Sequence, residues 1–307
     1  MPYITAGKEN SGNIDLYYED HGSGKPVVLI HGYPLSGASW EKQTTALLAA
    51  CRRVITYDRR GFGKSCQPTT GYNYDTFAED LHKLVTQLEL RDFALAGFSM
   101  GGGEVARYMG KYGSKGVSKA VFISSVPPFL LKTPDNPEGV DVSVFEGIKK
   151  AVTADRYAFF TEFFKNFYNT DLLLGKRGSE QTVQSSWNVA AGASATACLA
   201  CVPTWYEDFR KDLTHVDVPT LVIQGNADRI VNRELVNFLG EGIGQTSLTR
   251  SFSVCSSRFP ISCCHGRTRI AQIEEGIQRQ SLKSKTRTGS VGADANPRRH
   301  RSLFSMF

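Results

Sequence analysis

The 307-residue chain carries a net charge of +6, with 41% hydrophobic and 21% charged residues. It has no apolar run long enough to span a bilayer, which excludes a membrane protein and leads one to expect a soluble chain with a sizeable core. Seven cysteines without framework spacing exclude a disulfide-stapled secreted module, and the start Met1–Ala6 lacks a charged leader and apolar core, so a reducing, cytoplasmic setting is expected.

In chain order, strand-like runs are predicted at Ile14–Tyr18, Val27–Ile30, Val54–Tyr57, Phe93–Gly97, Ala120–Ser124 and Leu221–Gln224. Helical patterns fall at Thr76–Leu88 and Gly101–Tyr112, and the polar turn Asp20–Gly24 reads as a hairpin connection. Alternating strands and helices predict an α/β fold, its mostly parallel sheet covered by helices on both faces. Between Pro127 and about Arg210 the strand signals vanish. There Phe159, Phe160, Phe163, Phe164 and Phe167 recur at helical spacing and predict a helical cap, most of these rings serving its own packing. Cys198-x-x-Cys201 lies in an apolar helical stretch with no second ligand pair, so it reads as packing rather than zinc or redox chemistry.

The chemistry is concentrated in Gly97-Phe98-Ser99-Met100-Gly101, set between a buried strand and a helix. A serine hydroxyl becomes a useful nucleophile when a sharp strand-to-helix turn lifts it clear of the backbone. Gly97 and Gly101 relieve the crowding that such a turn creates, and the Met100 N–H can serve a developing oxyanion. At the carboxyl end of a second buried strand, where catalytic groups of a parallel sheet gather, stands Asp228, a candidate triad carboxylate. Its structural alternative is a turn or cap aspartate paired with Arg229.

Longer motifs carry a resemblance. They are His31-Gly32-Tyr33-Pro34-Leu35-Ser36-Gly37, the run Tyr57–Ser65, Gly97–Tyr108, Val126–Leu130, Trp187–Ala193 and Asn226–Val231. On these residues 1–231 resemble the cofactor-free (non-haem) haloperoxidase, or chloroperoxidase, and perhydrolase branch of the α/β-hydrolases. The resemblance implies an α/β-hydrolase core over 1–126 and 211–241, with the cap at 127–210. It implies Ser99 as nucleophile, Asp228 as triad acid, and the backbone N–H groups of Tyr33 and Met100 as the oxyanion hole. Phe98, Phe129 and Trp205 become candidate pocket residues. The implied substrates are small acyl esters or carboxylic acids, with hydrogen peroxide and halide, and neither cofactor nor metal is implied. His31 precedes the serine, against the family order of serine, acid, histidine, and so reads as a loop brace.

The likeness stops at Val231. Asn232–Gly240 resembles the family's closing helix, so the intervening helix, last strand and His-bearing loop read as missing, with the sheet edge beside the Asp228 strand left uncovered. Residues 242–307 hold 11 Lys and Arg against 3 Asp and Glu, whereas residues 1–241 hold 25 against 27. This basic tail of low apolar content is expected to be disordered. His265, after the short strand-like Ser251–Val254, is the one remaining candidate base. The sequence therefore predicts an impaired serine acyl-transfer enzyme, an esterase or perhydrolase. The alternative is a non-catalytic remnant with an anion-binding tail; no nucleic-acid module supports that tail as a DNA or RNA reader.

Overall fold

The computed structural model describes residues 2–176, 178–225, 228–230 and 247–252, all within one compact unit, Met1–Arg267. Strands β1 (Tyr3–Glu9) and β2 (Gly12–His21) form an antiparallel hairpin, followed by β3 (Pro26–Ile30), α1 (Glu41–Ala49) and β4 (Arg53–Tyr57). Next come α2 (Tyr74–Gln87), β5 (Phe93–Phe98), α3 (Met100–Tyr112) and β6 (Val117–Ile123). A helical segment then runs through α4 (Val142–Tyr168), α5 (Thr170–Leu173), α6 (Glu180–Ala191), α7 (Ala195–Ala200) and α8 (Arg210–Leu213). The chain returns to the sheet as β7 (Thr220–Gly225) and β8 (Ser247–Phe252).

Among the described residues these strands make one eight-stranded sheet in the order β1-β2-β4-β3-β5-β6-β7-β8. Only the β1–β2 and β2–β4 pairings are antiparallel; every pairing from β4 through β8 is parallel. Strands β5 and β7 are buried along their whole length, the pattern of parallel strands covered on both faces. Helix α2 is started by Asn73, whose side chain accepts the Thr76 N–H, and it buries Phe77, Leu81, Leu84 and Val85. That is the stripe the sequence spacing predicts.

Two expectations are corrected. The turn after β2 is not a hairpin connection, because β2 pairs with β4 while β3 lies between β4 and β5. The edge beside β7 is not left uncovered: β8 pairs with it in parallel from Thr220↔Ser247 to Gly225↔Phe252. A wholly buried strand has backbone donors and acceptors on both edges that must be paired, and Ser247–Phe252 answers that need on this side. The closing-helix reading of 232–240 and the rest of the tail lie outside the described residues.

The helical segment contains a break that the regular Phe spacing conceals. Asp155 leaves helical geometry (φ −158°, ψ 96°) inside α4. Its carboxylate accepts the N–H groups of Tyr157 and Ala158, capping a fresh helical start. Phe159, Phe160, Phe164 and Phe167 are all buried on this second half. Cys198 and Cys201 are free, fully buried thiols of the following helices. Burial pushes both thiols up, which keeps them protonated and unreactive.

Candidate active site

Ser99 occupies the single residue between β5 and α3, with φ 53° and ψ −117°. For a residue with a side chain this is a strained conformation, held only where the surroundings over-determine it. Here they do so from three sides. The Ser99 N–H donates to Ile123 O on β6 (2.9 Å), while Ser99 O accepts from Gly102 N–H (3.0 Å) and Val126 N–H (3.3 Å). A Cβ at Gly97 would run into the Gly101 carbonyl, and one at Gly101 would run into Ile30 O. A Cβ at Gly32 would lie 2.8 Å from Phe98 Cδ1 and 3.1 Å from Ser99 Cβ. The loop after β3 thus packs directly against Ser99, with Tyr33 one peptide further on and Met100 opening α3.

That loop is organised by His31, which is fully buried. Its Nε2 accepts the Arg59 N–H (3.0 Å) and its Nδ1 bonds Gly32 O (2.9 Å). Only the neutral Nδ1–H tautomer satisfies both contacts. Burial, and secondarily the Arg59 charge, hold its pKa well below the ordinary value of 6.5. Both ring nitrogens are committed, which agrees with the brace reading. Tyr33 is buried, its hydroxyl donating to Cys198 O (3.2 Å) and its ring meeting Trp205 edge-on at 4.8 Å.

Beneath the elbow lies a buried polar cluster. Arg59, 1% exposed, meets Glu104 of α3, 0% exposed, with Nε–Oε2 at 2.8 Å and Nη2–Oε2 at 2.7 Å. Glu104 also accepts the Tyr57 hydroxyl, and the Arg59 Nη2 reaches His31 O at 3.0 Å. The sequence reading passed over this cluster. Its signal was available: one carboxylate inside the small, apolar run Met100–Ala106, and an arginine two residues past a buried strand.

Asp228 follows the carboxyl end of β7. Its Oδ1 accepts the Ile230 N–H (2.8 Å) and its Oδ2 accepts from Gln224 Nε2 (3.1 Å). Arg229 turns instead to Asp171 of α5 through two contacts, 2.9 and 3.0 Å. Phe98 is buried between Trp40 and Phe167 at centroid distances of 6.5 and 6.0 Å, and Phe129 lies under the Arg210 guanidinium at 5.0 Å. The Trp205 ring touches the Tyr33 loop, and its indole nitrogen is buried without a hydrogen-bond partner. Of these three pocket candidates, Trp205 reaches the oxyanion loop and Phe98 is the residue before the serine; Phe129 packs with Arg210.

The described histidines are all engaged elsewhere. His21 meets exposed Glu19 (3.3 Å), His82 stacks on Tyr112 (4.0 Å), and His215 bonds Lys211 O (3.2 Å) at the start of the β7 approach. His265 lies outside the described residues. Among the described residues no group of three or more His, Cys, Asp or Glu could hold a metal ion, and no single helix is long and apolar enough to cross a membrane.

Comparison with known proteins identifies relatives in sequence and in fold. A sequence profile described as the alpha/beta hydrolase fold matches residues 25–251. A Synechocystis sp. protein named "Putative non-heme chloroperoxidase" is 64% identical over 234 residues, covering 76% of this chain and 85% of that protein. A bifunctional esterase/perhydrolase of Acinetobacter calcoaceticus is 32% identical over 76% of this chain and 85% of its own length. The crystal structure of a bromoperoxidase from Bacillus anthracis superposes with a TM-score of 0.77 at 44% identity, covering 92% of this chain and 99% of that one.

Proposed function

The chain belongs to the alpha/beta hydrolase family, in its non-haem haloperoxidase branch, and from that premise we propose that it is a serine-dependent acyl-transfer enzyme for small esters or carboxylic acids. The observation that carries this reading is the strained Ser99 turn between a fully buried strand and α3, with the Gly32–Tyr33 loop packed against it. In the proposed reaction Ser99 Oγ adds to the acyl carbonyl, and the N–H groups of Tyr33 and Met100 take up the oxyanion. Collapse of that intermediate breaks the bond to the leaving oxygen, which departs with the serine proton as the alcohol of an ester or as water from an acid. Water releases the acid from the resulting acyl-serine. Hydrogen peroxide in its place releases a peracid, which can oxidise halide as a secondary reaction; the names of the relatives support this branch.

Asp228 is proposed as the carboxylate that orients an imidazole base. With His21, His31, His82 and His215 otherwise engaged, and no family-type histidine loop in the sequence after Val231, we propose that the base is missing and the activity impaired. The remaining rate would be the share due to oxyanion hole and binding, roughly 10³–10⁴ over the uncatalysed reaction.

The test is labelling of the full chain with a fluorophosphonate, followed by peptide mapping, beside hydrolysis of an aryl acetate. The adduct is expected on Ser99 and on no other serine, with Ser99→Ala unlabelled. An adduct elsewhere with Ser99 clean overturns the reading.

A further inference from the structure

We infer that the buried Arg59–Glu104 ion pair is a positioning device for the oxyanion loop, aiming the Tyr33 N–H at the acyl oxygen while tying that loop to the helix that bears Met100. The inference rests on the proposed role of Ser99 and its two N–H donors.

The geometry forms a relay. The Glu104 carboxylate, on α3 one turn after Ser99, receives Arg59 Nε (2.8 Å) and Nη2 (2.7 Å). The same Nη2 donates to His31 O (3.0 Å), and the Arg59 backbone N–H donates to His31 Nε2 (3.0 Å). His31 Nδ1–H in turn donates to Gly32 O (2.9 Å). Gly32 C=O and Tyr33 N–H belong to one planar trans peptide unit and point in opposite directions. Fixing the first therefore fixes the second. At the other donor, Tyr74 hydroxyl bonds Met100 O (3.0 Å) and Arg59 Nη1 lies 3.9 Å from Met100 Sδ. One guanidinium thereby links the loop after β4, the loop after β3 and the first turn of α3.

Stability alone does not call for such a pair. Desolvating two charges is costly, and an apolar replacement of like volume is often as stable or more so. What an apolar replacement lacks is a directed bond to the His31 carbonyl and a carboxylate to hold the donor of that bond. The Tyr57 hydroxyl on Glu104 and the Phe77 ring beneath the guanidinium (5.1 Å) hold the pair from two further sides.

The experiment compares the parent chain with Arg59→Met/Glu104→Leu and, separately, Glu104→Gln. It measures the melting temperature and the kinetics of fluorophosphonate labelling at Ser99, separating the maximal rate from the half-saturating concentration. For the double variant we expect a folded chain with a modestly lower melting temperature, because the buried Tyr57 hydroxyl loses its acceptor and the His31 carbonyl loses a donor. Its maximal labelling rate should be lower by about 10²-fold, the scale of a small misplacement of reacting groups, with half-saturation unchanged. Labelling at the parental rate in the double variant overturns the inference. If the double variant does not fold, Glu104→Gln decides: a slower maximal rate at parental stability supports the relay, and an unchanged rate overturns it. Absence of Ser99 labelling in the parent is a different result, which removes the proposed function and the relay with it.

Discussion

The two halves of the candidate site are held in different ways. Around Ser99 the constraints come from far along the chain: Ile123 and Val126 on one side, Ile30 and Gly32 on another, and the Arg59–Glu104 pair below. Around Asp228 the carboxylate's described hydrogen bonds come from within four residues, while the adjacent Arg229 is tied to Asp171, 58 residues away. The Asp228 carboxylate is gripped by the Ile230 N–H and the Gln224 amide, and the neighbouring Arg229–Asp171 pair is 38% and 58% exposed. Long-range constraint couples the nucleophile to the stability of the whole sheet. The described grip on the acid runs through its own turn.

The largest expected effect comes from breaking the tight half. Gly101→Ala would drive a methyl group into Ile30 O and to 3.0 Å from His31 O, both backbone atoms that cannot swing away. A loss of about 3 kcal/mol is expected, the upper range of overpacking, read as a lower urea midpoint. Gly147→Ala is the control: it lies in α4 with nothing within 4 Å of its added Cβ. That substitution should raise stability by up to about 1 kcal/mol. Equal effects of the two substitutions would show that the elbow is not the constrained element described.

The second effect is titration of the oxyanion loop. Burial and the Arg59 charge lower the pKa of His31 from 6.5 in the folded chain, so below that pH the unfolded chain binds the extra proton and folding excludes it. Stability from this group is complete above pH 6.5 and declines as pH falls, by up to about 1.4 kcal/mol per unit. His31→Asn should flatten that slope in urea titrations at stepped pH. An unchanged slope would locate the titration elsewhere.

Within the tight half the elbow was legible and its buried support was not. Gly97, Ser99 and Gly101 announce themselves because the turn admits few residue types, and β3, β5 and β7 read as strands because continuous apolar runs mark full burial. The Arg59–Glu104 pair was not read: a carboxylate in a small apolar run and an arginine just past a buried strand each signal burial, but nothing in the sequence joins two charges 45 residues apart. Strand β8 was missed because Ser247, Thr249, Arg250 and Ser251 interrupt any apolar run, and its identity comes from pairing with β7. The break at Asp155 was hidden for a related reason: the carboxylate caps a new helical start without disturbing the spacing of the phenylalanines.

The smallest expected effect sharpens the loose half. In a complete triad the carboxylate acts only through the imidazole, fixing its tautomer and stabilising its charged form, and an Asp→Asn change costs about 10⁴-fold in rate. If no imidazole stands between Asp228 and Ser99, that route is closed. Asp228→Asn should then slow aryl acetate hydrolysis less than tenfold, an effect below about 1.4 kcal/mol. Folding should change little: the asparagine Oδ1 can still accept the Ile230 N–H, and the bond from Gln224 Nε2 is the one lost. Measuring Asp228→Asn, His265→Ala and the double variant makes the result a cycle. Three small, additive losses fit a chain that works through its oxyanion hole alone. A loss near 10⁴-fold in each single variant, with little more in the double, would instead identify His265 as the base and show that Asp228 and Ser99 are joined by a working relay.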